Sequence, residues 1–316
     1  MKFTLAKVLV RTLKIIVSVF SSFIFYSPLR RKIRKSVLSL RTKINITALE
    51  HNRTYPNYLS ILACVKNEAL YLKEWIEYHK LLGVEKFYIC DNDSDDNIME
   101  VLKPYIESGE VAYKKFHGKG IQRKMYTDSV QRCKKFTRWL AIIDIDEFIV
   151  PLKHDNIKDF LKEYEDFSQV TIHYRFFGTC GHKNKPEGLV IENYMYSKDT
   201  NPTGKSIVNP RAIIGKTNIH YSTVIGLPGD ERKLPYLEDP AIDIATTDII
   251  SINHYYTKSE EEFITVKDAR GNLNHHGGVY LREELKEYDI TCPEMLYNDS
   301  IKRFIPKLKE VMNKKV

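Results

Sequence analysis

An apolar stretch that ends abruptly in carboxylates constrains the folding of this chain more than any other feature. Residues 139–143 are apolar and have the length of a strand, and Asp144, Asp146 and Glu147 follow directly. Burying an unpartnered carboxylate costs roughly several kcal/mol, so these side chains are not expected inside a core. The pattern favours the carboxyl end of a buried parallel strand that faces a crevice. An acidic surface turn is the alternative that this stretch alone leaves open.

Two aspartates with one residue between them can both reach a hard divalent cation, so Asp144 and Asp146 are the predicted ligands of Mn²⁺ or Mg²⁺. Such an ion keeps open positions for the phosphate oxygens of a substrate. This chemistry indicates an enzyme that uses a nucleoside-diphosphate donor. If strand geometry persists, alternation points Glu147 away from both aspartates.

Strand-like and helical patterns alternate before Pro151 and predict a parallel, doubly wound α/β sheet. Ligands bind such sheets outside the carboxyl ends of the strands. Three polar clusters are expected there: Asn67 with Glu68, residues 91–96, and Asp144 with Asp146. The predicted strands are 58–65, 84–90, 111–116 and 139–143, and the predicted helices run to about 82, from 97 to 108 and from 122 to 135.

The pattern changes after Pro151, where strand-like runs are separated by glycine and proline turns. These runs are 170–177, 189–196, 212–215 and 249–256. A helix is predicted from Ser259, a glycine-rich loop near Gly277 and Gly278, and helical segments close the chain.

The positive charge of the chain is concentrated at its N-terminus. The net charge is +8, yet residues 1–53 carry twelve Lys or Arg and one acidic residue, so the remainder has a net charge of −3. A nucleic-acid-binding domain more often spreads basic residues over its folded surface, so no nucleic-acid partner is predicted. The five cysteines are scattered without zinc-ligand spacing, which favours a reducing compartment.

A short apolar stretch, residues 15–26, lies within this basic segment. Its twelve residues are too few to span a bilayer, which takes about 20. The segment 1–43 is therefore predicted to lie on an anionic membrane surface, with the protein cytoplasmic and peripheral on the inner face of the membrane. A signal anchor in a secretory compartment and a helix packed on the protein's own body are the alternatives.

Four blocks of sequence between about residues 58 and 270 resemble glycosyltransferase family 92 and related bacterial family-2-like transferases. The blocks are Cys64 to Glu68 with Leu72 to His79 and Gly83-Val84; Asp91-Asn92 with Ser94 and Asp96; Trp139 to Phe148; and Phe177 to Thr179 with Gly181-His182, Lys205 to Val208 with Pro210, and Asn253 to Tyr256 with Ser259, Glu261, Glu262 and Phe263. The resemblance implies a GT-A (Rossmann-like) fold with a mostly parallel central sheet, a UDP-sugar donor (often UDP-galactose), Mn²⁺ or Mg²⁺, and an inverting mechanism.

The resemblance also implies roles for individual residues. His254 would join Asp144 and Asp146 at the metal, a core histidine being the alternative. Lys205 would neutralise the diphosphate, a solvated loop lysine being the alternative. The side chains expected around the nucleoside are Asn67, Glu68, Asp91 and Asn92. The base that inversion requires stays open among His182, Glu187, Glu238 and Asp239.

These observations divide the chain into four parts and give one leading hypothesis. The parts are a membrane-associating segment and linker (1–57), a nucleotide-sugar-binding half (58–150), an acceptor-binding half (151–275) and a C-terminal helical segment (276–316). We predict a metal-dependent hexosyltransferase acting on a glycan or glycolipid acceptor in surface polysaccharide or lipopolysaccharide synthesis. The rivals are a nucleotidyl or sugar-phosphate transferase on a similar fold and a non-catalytic glycan-binding relative.

Overall fold

The computed structural model describes residues 53–215, 217–236, 245–268, 285–289 and 291–314. The strands are β1 Asn57–Val65, β2 Lys86–Asn92, β3 Val111–Phe116, β4 Thr137–Ile142, β5 Glu147–Pro151, β6 Gln169–Phe177, β7 Tyr196–Val208, β8 Pro228–Asp230, β9 Ile250–Tyr255 and β10 Leu296–Tyr297. The helices are α1 Ala69–Leu81, α2 Ile98–Glu107, α3 Gln122–Cys133, α4 Ile157–Lys162, α5 Val190–Asn193, α6 Glu260–Glu262 with a π-helical extension Phe263–Asp268, and α7 Ile305–Asn313 after a 3₁₀ turn Lys302–Phe304.

The predicted membrane-associating segment 1–43 and the predicted glycine-rich loop at Gly277 and Gly278 lie outside the described residues. Among the residues that are described, no helix combines the length and apolar character needed to cross a bilayer.

The strands form one mixed sheet in the order β3-β2-β1-β4-β7-β6-β9-β5, with β8 on β6 and β10 on β7. β3, β2, β1 and β4 run parallel to one another, as the alternation of strands and helices predicted. β7 is antiparallel to both β4 and β6, and β5 is antiparallel to β9. The predicted α/β class is confirmed, but beyond the first four strands these antiparallel pairs occur together with the parallel pairs of β6 with β8 and with β9.

Apolar cores cover both faces of the parallel half, which is therefore doubly wound. Successive side chains of a strand point to opposite faces. On β1, Ile61 and Ala63 contribute to the core that includes α1 and α2, whereas Leu62 contributes to the core that includes α3. Because both faces are buried, these strands read as continuous apolar runs rather than as alternating ones.

The run 189–196, predicted as a strand, forms α5 before β7 begins. The buried carboxylate of Glu74 on α1 accepts hydrogen bonds from the amides of Val190 and Ile191, at 2.9 and 3.1 Å. Amides at a helix start have no partner within the helix, so this carboxylate stabilises a turn that local periodicity does not indicate. The run 212–215, also predicted as a strand, contributes an isolated bridge between Ile213 and Val224.

One face of α1 fixes the backbone of β5. Trp75 Nε1 donates to the carbonyl of Glu147 at 2.8 Å, and the Tyr78 hydroxyl donates to the carbonyl of Ile149 at 3.0 Å. The amide of Ile149 donates to Nε2 of His79 at 3.3 Å, so the proton of this neutral ring belongs on Nδ1, 2.8 Å from the carbonyl of Trp75. Buried side chains of α1 thus fix the position of the strand that carries Glu147.

We expect His79 to make folding stability depend on pH. Burial lowers the pKa of His79 from 6.5 to about 3. Between these values the unfolded chain binds a proton that the folded chain does not, so stability is complete above pH 6.5 and falls as the pH drops. The contribution should be roughly 1.4 kcal/mol per pH unit. Urea unfolding across this range should give a shallower pH slope for His79→Gln than for the wild type, and equal slopes would contradict the assignment.

Candidate active site

A turn between β4 and β5 decides where the acidic side chains point. β4 ends at Ile142, the turn covers residues 145–146, and β5 begins at Glu147. Strand geometry therefore does not persist through this stretch, and Glu147 does not point away as alternation predicted. Its Oε2 accepts a hydrogen bond from the amide of Asp144 at 2.9 Å. The turn brings a third carboxylate into the site.

Asp146, Glu147 and His254 lie together, and we refer to them as the Asp-Glu-His cluster. The pairing of β5 with β9 places Glu147 opposite His254, and the amide of Tyr255 donates to the carbonyl of Asp146 at 2.8 Å. His254 Nε2 lies 3.4 Å from Asp146 Oδ2. One potential ligand atom from each of the three side chains lies within 4.8 Å of the other two. The structure thus brings together Asp146 and His254, two of the three predicted metal ligands.

The donor set of the Asp-Glu-His cluster fits a divalent cation. Carboxylate oxygens suit Mg²⁺ and Mn²⁺, and an imidazole nitrogen beside them suits Mn²⁺. The side chains of Asp146 and His254 are 11% and 13% exposed, so a small ion can reach them from solvent. Nδ1 of His254 is buried and has no hydrogen-bond partner within the described part of the chain. The protein's own hydrogen bonds therefore do not saturate this ring.

Asp144, the remaining predicted ligand, is held by other partners. Its Oδ2 lies 2.7 Å from Lys205 Nζ, and its Oδ1 accepts the hydroxyl of Tyr126 at 3.0 Å. Lys205 Nζ also lies 3.6 Å from Oε1 of Glu147, and that oxygen accepts the hydroxyl of Tyr174 at 2.8 Å. Lys205 thereby links Asp144 to the Asp-Glu-His cluster.

The ion pairs of Lys205 set the charges of this network. The side chain of Lys205 is 2% exposed; burial opposes its charge, but the carboxylates of Asp144 and Glu147 raise its pKa above the ordinary value. Burial likewise opposes the charge of Asp144, yet the Lys205 ammonium holds the pKa of Asp144 below its ordinary value. Burial raises the pKa of Glu147. The ammonium predicted to face a diphosphate is therefore matched by carboxylates within the protein.

The loops that follow β1 and β2 are hydrogen-bonded to each other. The amide of Asn67 donates to Ser94 Oγ, and Asn67 Oδ1 accepts the amide of Asp95, both at 3.0 Å. Asn67 has φ of +54°, a conformation that asparagine tolerates better than most residues. The amide of Ala69 donates to Asp96 Oδ2 at 2.8 Å. Two of the predicted polar clusters thus form one connected surface.

Asp91 and Asn92, also predicted near the nucleoside, are mainly engaged with the protein. Asp91 is 1% exposed and accepts the hydroxyl of Tyr113 at 2.6 Å and the amide of Ser94 at 2.9 Å. Asn92 is 5% exposed and donates to the carbonyl of Gly118 at 2.8 Å. Both residues shape the loops beside the site.

A narrow crevice connects the Asp-Glu-His cluster to the loop after β1. Its walls include Glu68, Tyr71, Asp146, Lys258 and Glu262. Glu68, predicted near the nucleoside, and Asp146, predicted at the metal, therefore face the same opening. Among the described residues that line it, Lys258 is the one cationic side chain.

Lys258 is a feature of the site that sequence reasoning missed. It has φ of +53°, which non-glycine residues adopt rarely and which is often found at functional sites. The side chain is buried, and its Nζ lies 4.2 Å from the centre of the Tyr71 ring. Its position four residues after His254, within the fourth block of resemblance, was the available signal.

The candidates for the catalytic base are not brought into this crevice. His182 Nε2 lies 3.3 Å from the carbonyl of Asn193, and its ring packs against Tyr194. Glu187 is exposed, and neither side chain lines the crevice of Asp146. Glu238 and Asp239 lie outside the described residues.

Comparison with known proteins identifies the family. The sequence model of glycosyltransferase family 92 matches residues 59–289. A family 92 protein of Oryza sativa subsp. japonica is 29% identical over 168 residues, which cover 52% of this chain and 29% of the rice protein. A galactan beta-1,4-galactosyltransferase of Arabidopsis thaliana, GALS3, is 32% identical over 112 residues, covering 32% of this chain and 22% of that protein. The matches thus span less than a third of these relatives' lengths.

Two solved structures resemble parts of the chain. Residues 1–349 of S. aureus TarS in complex with UDP match with 12% identity and a TM-score of 0.35, covering 49% of this chain and 47% of that one. Glucosyl-3-phosphoglycerate synthase from Mycobacterium tuberculosis, in complex with Mn²⁺, UDP and glucosyl-3-phosphoglycerate, matches with 19% identity and a TM-score of 0.28, covering 40% of this chain and 46% of that one. The family match confirms the predicted resemblance to glycosyltransferase family 92. The chain belongs to glycosyltransferase family 92.

Proposed function

We propose that the chain is a metal-dependent, inverting glycosyltransferase that moves a hexose from a UDP-sugar to a glycan acceptor. The observation that carries this proposal is the Asp-Glu-His cluster at the end of a crevice that also contains Glu68 and Lys258. Galactose is the favoured sugar, because two of the curated relatives are named galactan beta-1,4-galactosyltransferases. Surface polysaccharide or lipopolysaccharide synthesis is the proposed setting.

In this proposal Asp146, Glu147 and His254 hold Mn²⁺ or Mg²⁺, with Asp144 close by. When bound, such an ion stabilises the negative charge that develops on a leaving diphosphate. Lys205 lowers the pKa of Asp144 and holds Asp144 and Glu147 in place through its contacts at 2.7 and 3.6 Å. It acts as a positioning residue, because its buried ammonium is already paired.

The loops after β1 and β2 form the proposed nucleoside side of the site. Glu68 lines the crevice, while Asp91 and Asn67 hold the backbone amides of Ser94 and Asp95, and Asn92 holds the carbonyl of Gly118. Inversion also requires a base that takes the proton of the acceptor hydroxyl. The proposed candidates remain His182, Glu187, Glu238 and Asp239, and pH–rate profiles of single variants at these positions test each one.

Lys258 is the proposed cation for the leaving diphosphate, and its removal should weaken binding of the nucleotide. Lys258→Ala should raise the inhibition constant of UDP by about 10- to 100-fold, because one charge-assisted contact in a partly buried site contributes about 1.5–3 kcal/mol. Competition by UDP against the donor measures this constant. Lys233→Ala, which changes a surface lysine, is the control and should leave the constant unchanged. An equal constant for Lys258→Ala and the wild type would remove Lys258 from the nucleotide site.

A panel of nucleotide sugars, incubated with the full chain with and without Mn²⁺, tests the proposed function. We expect Mn²⁺-dependent release of UDP from one UDP-hexose, accelerated by a glycan acceptor. Release of pyrophosphate or UMP instead would favour the nucleotidyl or sugar-phosphate transferase. No release from any common nucleotide sugar would favour the non-catalytic glycan-binding relative.

We propose further that residues 1–43 bring the enzyme to an anionic membrane surface carrying a glycan or glycolipid acceptor. The excess of basic residues in this segment, together with its apolar stretch, supports peripheral binding on the cytoplasmic face. Sedimentation with anionic and neutral liposomes measures the binding, and equal binding to both would contradict an electrostatic anchor.

A further inference from the structure

A second cleft lies on the part of the sheet formed by β6, β7 and β10. Its volume is about 280 Å³. Polar side chains in its lining include Arg175 on β6 and Lys198 with Asp199 on β7. β10 contributes the apolar side chains of Leu296 and Tyr297. The cleft has room for a small ligand and is separate from the crevice of Asp146, with which it shares no lining residue.

Strand register places Arg175 and the Asp-Glu-His cluster on opposite faces of the sheet. β6 pairs with β9 so that Phe176 lies beside His254, and the two rings are 4.9 Å apart. Arg175 is the preceding residue and lies beside Asn253. Because neighbouring residues of a strand point to opposite faces, the guanidinium of Arg175 is directed away from His254. Because the cleft and the crevice of Asp146 share no lining residue, a ligand in the cleft occupies a different site from one in that crevice.

The guanidinium of Arg175 is available to a ligand. It is half-buried and has no hydrogen-bond or ion-pair partner among the residues that the structure describes. A guanidinium group carries five N–H donors, and those of Arg175 that meet solvent can donate to a ligand instead. Lys198, by contrast, lies 3.6 Å from Glu294 and 3.7 Å from Glu287. Arg175 is therefore the donor in this cleft that a ligand can satisfy.

The apolar side of the cleft is exposed in a way that suits a sugar ring. Leu296 and Tyr297 are 60% and 56% exposed, although they form a strand on β7. Tyr196 packs edge-on against Tyr297 with ring centres 5.6 Å apart, which fixes the orientation of the exposed ring. A rigid aromatic ring beside polar groups offers apolar contact and hydrogen bonds to one ligand.

The charges of the cleft favour a neutral ligand with many hydroxyl groups. Arg175 supplies donors, whereas the carboxylates of Asp199 and Asp299 supply acceptors and oppose an anion. We propose that this cleft binds a neutral hexose unit of a glycan chain, at a second site separate from the crevice of Asp146. The assignment of this glycan as the acceptor rests on the proposed function, whereas binding itself does not.

A second glycan-binding site would raise the affinity for long acceptors without changing the reaction at the acceptor hydroxyl. Two linked binding sites convert the second contact into an intramolecular one, so a long glycan binds more tightly than a short one. Tyr297→Ala should therefore raise KM for a long acceptor at least five-fold, while kcat and the KM for a single-unit acceptor stay unchanged.

Direct binding tests the site independently of transfer. The probes are neutral hexose oligosaccharides and acidic oligosaccharides of the same length, presented on an array to the full chain. We expect neutral oligosaccharides to bind, and Tyr297→Ala and Arg175→Met each to weaken this binding at least ten-fold. Phe136→Ala, which removes another exposed aromatic ring (51% exposed), is the matched control and should bind like the wild type.

The outcomes separate this inference from the proposed function. Binding that persists in Asp146→Asn but is lost in Tyr297→Ala supports the cleft even if no transfer is detected. Neutral-glycan binding that is unchanged in Tyr297→Ala and Arg175→Met, a preference for acidic oligosaccharides, or no binding of any neutral probe would overturn it.

Discussion

Replacing Asp146 by asparagine is expected to lower transferase turnover about a thousand-fold while leaving the fold intact. The substitution keeps the shape of the side chain and removes one of the two negative charges that the Asp-Glu-His cluster offers to a cation. Loss of a single group that stabilises developing charge typically costs about 10²–10³ in kcat, and a weaker hold on the ion adds to this loss. UDP release at saturating donor and Mn²⁺ measures the turnover, and electron paramagnetic resonance of free Mn²⁺ measures the affinity for the ion.

Two comparisons make the Asp146 experiment specific. Asp128→Asn changes an exposed carboxylate that pairs with Lys124 on α3, and it should leave turnover within about two-fold, because exposed pairs contribute about 0–1 kcal/mol. Removal of divalent ions by a chelator should abolish turnover of the wild type, and Mn²⁺ should restore it. Turnover near the wild-type value in Asp146→Asn, or turnover unaffected by the chelator, would refute the metal site.

Asp144→Asn tests whether Asp144 is also a ligand of the metal. The two aspartates are equivalent in the sequence pattern, but they have different partners in the structure. Asp146 lies 3.4 Å from His254, whereas Asp144 is 2.7 Å from the ammonium of Lys205. A loss as large as that of Asp146→Asn would indicate that Asp144 leaves Lys205 to bind the ion. A smaller loss would support the ligand set Asp146, Glu147 and His254.

The parallel half of the fold could be predicted from the sequence because each of its strands and helices has a recognisable local sequence pattern. Apolar runs of strand length alternate with helical periodicity, and β3 begins and ends where the pattern indicates, at Val111 and Phe116. The run 189–196 could not be assigned correctly, because the carboxylate that fixes α5 belongs to Glu74, 116 residues earlier in the chain. A local sequence pattern cannot indicate a contact between residues so far apart in the chain.

The candidate site, like the fold, could be predicted from the sequence only in part. The acidic stretch after β4 marked the position of the site, since carboxylates directly after a buried strand need partners or solvent. The orientation of Glu147 depends on the turn at residues 145–146, which the alternation of side chains along a strand does not predict. The burial of Lys205 depends on Asp144, 61 residues away, and on the antiparallel pairing of β7 with β4. The sequence therefore indicated the acidic stretch on which the candidate site is built, but not the orientation of its charged side chains.

Replacing Lys205 by methionine is expected to destabilise the fold by about 3–5 kcal/mol, because it leaves the carboxylates of Asp144 and Glu147 without their cation. Lys205 is 2% exposed and Glu147 is 1% exposed, so solvent cannot replace this ion pair, whereas Asp144 is 33% exposed and solvent can hydrate it in part. A methionine side chain is similar in length to lysine and can fill the same space in the core. Most of the loss of stability should therefore be electrostatic. Urea unfolding at pH 7 gives the difference in the free energy of unfolding.

Partial rescue distinguishes this electrostatic loss from lost packing. Adding Glu147→Gln to Lys205→Met removes one of the two remaining charges, so the double variant should recover at least about 1 kcal/mol relative to Lys205→Met. Lys233→Met removes a lysine 2.8 Å from Glu163, a pair with 44% and 50% exposed side chains, and should cost under about 1 kcal/mol. If Lys205→Met cost no more than this surface control, or if Glu147→Gln added a further loss, Lys205 would not be the residue that holds the two carboxylates together.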